Sequence, residues 1–183
     1  MQVRATRALA AGEEVLISYV PDLHEPTAVR RARTRKHKFF ECTCARCADP
    51  TEQGRLALPL GAEWEALLAT AHAARSTALT DHTAASLAKE LAIRRVIAEH
   101  SEILYPAPTH HTAKGVAQEA LGKVAAELYM QEPQRLELAV EAEVALSVAQ
   151  KNFTVCNGAH SAPVARIVGV LARLADATAA RNE

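Results

Sequence analysis

Aromatic side chains are scarce here, at 4% of 183 residues. Strands draw heavily on Tyr, Phe and Trp, so the scarcity argues against a sheet-rich fold, and the heavy use of alanine suits packed helices. A surplus of charge of one sign is also missing, since 21 Lys+Arg face 21 Asp+Glu. The chain as a whole therefore carries no bulk field toward nucleic acid or an acidic membrane, and any electrostatic partner must be read locally. No run approaches the ~18 apolar residues of a membrane span. The opening MQVRATRALAAGEEV scatters its charges and has no apolar centre of the signal-peptide kind. The expectation is a soluble intracellular chain, nuclear or cytoplasmic, with no membrane partner. Its length allows one ordinary domain, or one domain plus a piece of another.

What is present divides the chain in two. In EEVLISYV, Val15, Ile17 and Tyr19 fall on one face of a period-2 strand, and Ala11-Gly12-Glu13 reads as a turn joining it to VRATRAL. An isolated hairpin is marginal in water, so these strands need partners from elsewhere. A short helix is expected after Glu25-Pro26-Thr27, ending in the basic run RRARTRKHK, whose plainest reading is a solvated helix face. From about Leu56 onward the pattern is helical. Trp64, Leu67, Leu68 and Ala71 form one stripe; Leu87, Leu91, Val96, Ile97, His100 and Leu104 form a second. Thr109 reads as the N-cap of a third helix carrying Ala117, Leu121, Val124 and Leu128 on one face. A fourth helix follows Pro133 to about Asn152, with Leu136, Val140, Val144 and Val148 four apart. In CNGAHSAP, Asn157-Gly158 supplies a turn, Ser161 a cap and Pro163 a first-turn residue for a fifth helix that buries Val164, Ile167, Val168, Leu171 and Leu174. Helices of this length with brief connections suggest stacked hairpins of the tetratricopeptide kind, although the strict repeat signature is absent.

The densest chemistry lies in FFECTCARC, where three of the four cysteines occupy six positions. Cys42, Cys44 and Cys47 have C-x-C-x2-C spacing, which lets three thiolates converge on one zinc ion from a tight loop. In an intracellular chain such a cluster reads as a metal site rather than a disulfide framework. The fourth ligand stays open among Cys156, His37 and His160.

Read together and in order, GEEVLISY and FFECTCARC resemble the end of a SET domain and its post-SET zinc segment, in the SMYD branch of protein-lysine methyltransferases. LYPAPTHHTAKGVAQEALGK and CNGAHSAPVARIVGVL are similar to the helical domain that follows post-SET in that branch. The resemblance implies a mainly α chain: a short β segment from the end of SET over 1–38, a zinc-binding post-SET segment over 39–50, and antiparallel TPR-like helical hairpins over 56–183. It implies methyl transfer from S-adenosylmethionine to a histone or other protein lysine, and a further protein partner on the helical domain. Tyr19 matches the tyrosine ending the family's GEEL-x-ISY motif, whose hydroxyl sits at the lysine channel. There a neutral amine must attack a sulfonium methyl in line, so a fixed hydroxyl contributes by positioning and electrostatics. Phe40 matches the aromatic packed on the cofactor's adenine, and Cys42, Cys44 and Cys47 match the three post-SET zinc ligands.

Two departures follow from the same comparison. A tyrosine commonly lies two positions before that Phe in the family, and here the position is Lys38; a flexible cation repels a cationic substrate and does not reproduce a phenol's packing. The family's glycine-rich cofactor segment, MYND finger and NHxCxPN motif all precede GEEL-x-ISY, and the sequence begins shortly before that point. The expectation is that the fourth zinc ligand lies upstream of Met1 and that this chain alone binds S-adenosylmethionine weakly or not at all. A zinc-stapled helical adaptor without catalysis is the competing reading. Nucleic acid is not an expected partner, and RRARTRKHK is the one stretch that would carry it.

Overall fold

A computed structural model describes residues 5, 7–15, 18–19, 25–48 and 62–180. The chain divides into two compact units, Leu9–Ala69 and Met1–Ala8 with Thr70–Glu183. Seven helices are present among the described residues, which contain no strand: α1 Thr27–Lys38, α2 Ala45–Ala48, α3 Ala62–Asp81, α4 Ala84–Leu104, α5 Thr112–Gln131, α6 Leu136–Asn157 and α7 Ala162–Ala179. The unit boundary falls within α3. None of these helices is long and apolar enough to cross a membrane.

The helix expected after Glu25-Pro26-Thr27 is α1. The turn is also found: Glu13 N donates to Ala10 O at 3.1 Å, and Gly12 takes φ 83° at the position where a type II turn needs it. The strand is not. Glu13, Glu14, Val15, Ser18 and Tyr19 have irregular backbone, as do residues 5 and 7–9 of VRATRAL, while Ile17 and residues 3, 4 and 6 lie outside the described residues. A lone strand has no ladder to satisfy its amides, and the described residues offer the period-2 pattern no strand to pair with.

In the larger unit α4 packs on α5, α5 on α6 and α6 on α7, with α5 also touching α7. The connections are short, which obliges successive helices to run antiparallel. Expected core positions Ala71, Leu87, Leu91, Ile97, His100, Leu104, Ala117, Leu121, Val124, Leu128, Val164, Ile167 and Leu174 are buried. Val96 and Val168 are exposed instead.

Two local readings are corrected. Thr109 closes a turn by donating its N–H to Pro106 O, and the cap of α5 is His111, whose Nδ1 accepts from Ala113 N at 3.1 Å. The His111 N–H is in turn held by buried Asn152 Oδ1 at 2.9 Å. On α6, Leu136, Val140 and Val144 face solvent and Val148 is half-buried, whereas Leu138, Ala142, Ala145, Leu146, Ala149 and Phe153 form the buried face. The small alanines win because they let α6 approach α5 closely; valines at those positions would hold the helices apart.

Gly122 marks that approach. A Cβ placed there would lie 2.6 Å from Leu146 Cγ and 3.1 Å from Ala142 O. Gly122→Ala therefore destabilises by about 2 kcal/mol, because overpacking against a buried neighbour outweighs the helix propensity gained. Gly169 on α7 has only Arg173 Nη1 near, at 3.9 Å, so Gly169→Ala is neutral or stabilises by up to about 1 kcal/mol. Thermal melts of the two variants check the pair; equal shifts would refute the close-approach argument.

Candidate metal centre

The cysteine loop grows out of the end of α1. Phe39 stops that helix in the left-handed conformation, φ 60°, and the chain reverses through residues 41–43 into the single turn of α2. Cys44 O accepts from both Cys47 N and Ala48 N at 2.8 Å. That turn sets Cys44 and Cys47 three residues apart on one side of the backbone. With Cys42 they form one group whose sulfur atoms all lie within 4.8 Å of one another.

Tetrahedral zinc with Zn–S bonds of about 2.3 Å requires sulfurs about 3.8 Å apart, so an adjustment of under about 1 Å closes the three thiolates on an ion. The donor set fits: three soft ligands, free of disulfide, with Cys47 buried, Cys42 half-buried and Cys44 exposed. The cluster can hold a metal ion. Burial, together with the neighbouring Cys44 and Cys42 thiols, pushes the Cys47 thiol up to about 11 against an opposing hydrogen bond from Arg30. A metal bound there displaces the proton, since the thiolate is the ligand.

The start of the basic run is the scaffold of this loop, while Arg35, Lys36, His37 and Lys38 keep the exposed face expected of it. Arg31 donates from Nη2 to Cys47 O at 2.8 Å and from Nε to Cys42 O at 3.3 Å, so one guanidinium spans both ends of the cluster. Arg30 is 5% exposed and donates to Glu25 O, to Thr27 Oγ1 and, at 3.9 Å, to Cys47 Sγ. Arg33 pairs with Glu25, and Arg35 with Glu41 at 2.6 Å. Sequence reasoning missed these roles, and the available signal was the placement of two adjacent arginines one helix length before a cysteine cluster.

The expected site residues outside the cluster also come together. The rings of Tyr19 and Phe40 meet edge to face, with centroids 5.3 Å apart at 74°. Tyr19 is half-exposed and Phe40 is 37% exposed. Lys38 is the exposed last residue of α1. Of the proposed fourth ligands, His37 is exposed on α1 outside the cluster, and His160 is exposed in the turn before α7. Cys156, expected in a loop, belongs to the last turn of α6, where its thiol is hydrogen-bonded with Thr112 and raised by burial. Compared with known protein families the sequence matches none, and no curated protein matches it.

Proposed function

We propose that the chain is the carboxy-terminal portion of a SET-domain lysine methyltransferase of the SMYD kind, in which Cys42, Cys44 and Cys47 hold a structural zinc ion. The helices from α3 onward would be its TPR-like interaction domain. The observation that carries the reading is the pairing of Tyr19 with Phe40, two residues before the first cysteine of the cluster. The residue assigned to the lysine channel and the one assigned to the cofactor's adenine are thus in contact beside the cysteine loop. In this reading Tyr19 orients the lysine amine, Phe40 covers the adenine of S-adenosylmethionine, and the zinc loop holds Phe40 in place. The substrate is a lysine of a histone or another protein, in the nucleus or cytoplasm.

The test is methyl transfer from labelled S-adenosylmethionine by the protein at its native length. Tyr19→Phe is expected to lower kcat at least about a hundredfold, about 2.7 kcal/mol of transition-state stabilisation, and transfer at the unaltered rate would refute the assignment. The 183-residue chain is expected to show no turnover alone. An in-frame Asn-His-x-Cys stretch in the coding sequence ahead of the Met1 codon would support the enzyme reading.

The second reading is a zinc-stapled adaptor without catalysis. It is favoured by Lys38 at the tyrosine position of the family and by the apolar stripe of Leu136, Val140 and Val144 facing solvent on α6. Native-length protein that binds zinc and transfers no methyl group would select it.

A further inference from the structure

A cleft of about 450 Å³ opens among α3, α4, α5 and α7, within the unit that contains Thr70–Glu183. Its charged lining is Arg75, Arg94, Lys123 and Arg166 against Glu90 and Glu119; with Arg75 paired to Glu127, the surplus is one positive charge. The carboxylates are the buried members, with Glu90 0% and Glu119 9% exposed. The cations grade outward, from Arg94 at 13% through Arg75 at 29% and Lys123 at 36% to Arg166 at 53%. Anions thus form the floor and cations the mouth.

The floor sets the cations in place. Glu90 Oε1 accepts from Arg94 Nε and Nη2 at 3.2 and 3.1 Å, and Glu119 accepts from Lys123 at 2.6 Å and from Arg166 Nε and Nη2 at 3.2 Å. Burial opposes ionisation of Glu119, but the hydrogen bonds from Arg166 and Lys123 outweigh it and hold its carboxyl below the usual range. Arg75 is committed elsewhere, forked on Glu127 at 2.5 and 2.9 Å. Arg94 Nη1, Arg166 Nη1 and two Lys123 protons have no acceptor among the described residues. These donors sit on side chains already ordered by folding, which lowers the entropy lost on binding.

We propose that this cleft binds a phosphate-class anion, with Arg94, Lys123 and Arg166 as its donors. The several oxygens of a phosphate take guanidinium and ammonium donors together. A single carboxylate offers only two oxygens to donors on three side chains. The volume lies within the roughly 300–1,000 Å³ of small-ligand pockets. A phosphorylated side chain and a free phosphate-bearing molecule offer the same chemistry. The proposal is independent of the methyltransferase reading.

The experiment titrates the full chain, in phosphate-free buffer at constant ionic strength, with inorganic phosphate, a phosphoserine peptide of otherwise neutral sequence, and its glutamate twin. Saturable phosphate binding is expected by calorimetry, weakened about tenfold by Arg166→Gln and by Lys123→Gln. Arg135→Gln is the control, because Arg135 pairs with Glu132 and Glu137, outside the cleft lining, and it leaves binding unchanged. Melting curves identify folded variants; each substitution leaves Glu119 one partner, and either variant alone carries the test. Tighter binding of the phosphopeptide than of phosphate supports the proposal with a phosphorylated side chain as the source, and equal or weaker binding supports it with a free molecule. Phosphate binding no better than chloride, glutamine variants that bind as well as the unaltered chain, or a glutamate twin equal to a phosphopeptide that binds more tightly than phosphate would each overturn it.

Discussion

Glu90→Ala lowers the stability of the helical unit by about 3–5 kcal/mol, because it strips the partner from a buried guanidinium. The Glu90 carboxylate is fully buried on α4 and accepts from Arg94 one turn later and from Arg75 on α3 at 3.4 Å. With the carboxylate gone, Arg75 keeps its fork on Glu127, but Arg94 is left 13% exposed with no acceptor among the described residues. Burying an uncompensated charge is what makes the loss large; the attraction within the pair is mostly offset by the desolvation of both ions. The paired replacement Glu90→Leu with Arg94→Leu should accordingly recover most of the loss. In melting temperature the single variant falls by about 6–20 °C, at about 2–4 °C per kcal/mol for a chain of this length. Glu137→Ala, which removes the exposed partner of Arg135, leaves the midpoint where it is. A midpoint for Glu90→Ala equal to that of Glu137→Ala would sink the argument.

That ion network was invisible in the sequence, and the reason is physical. Arg75, Glu90 and Glu127 lie on three helices, and their encounter depends on how those helices stack. The stripes of α4 and α5 were legible because Leu87, Leu91, Leu121 and Leu128 are large apolar residues with no competing face. On α6 two faces competed, and hydrophobic weight pointed to Val140 and Val144 while packing chose Ala142, Ala145 and Ala149. The local helix rules that suggested a threonine cap for α5 had no means of seeing the turn that Thr109 closes on Pro106, nor the Asn152 side chain that fixes His111. The cysteine cluster was legible because its three donors are adjacent in the chain and one helical turn converges them. The grip of Arg30 and Arg31 on that loop was not, since it requires the chain reversal at Phe39.

The chain is expected to bind one Co²⁺ or Zn²⁺ ion, and Cys42→Ser, Cys44→Ser and Cys47→Ser should each weaken binding by at least about a hundredfold. Three thiolates supply most of a tetrahedral site's binding energy, and a serine hydroxyl at neutral pH is a poor substitute for a soft anionic donor. Cobalt is the informative probe because sulfur-to-metal charge transfer reports thiolate ligation directly, so each serine variant should lose part of that absorption. Cys156→Ser should leave spectrum and affinity unchanged, as its thiol is engaged with Thr112 at the end of α6. Arg31→Gln should weaken the site by about tenfold, the scale seen when a group orienting a metal ligand is removed, because the carbonyls of Cys42 and Cys47 lose their shared clamp. Arg31→Lys keeps the charge but cannot reach both carbonyls from one rigid fork, so it should behave like Arg31→Gln. That separates the clamp from a general electrostatic effect, since a positive charge alone would be rescued by lysine. Full cobalt absorption in Cys47→Ser would remove the metal centre from the description of this protein, and with it the zinc loop that holds Phe40 beside Tyr19.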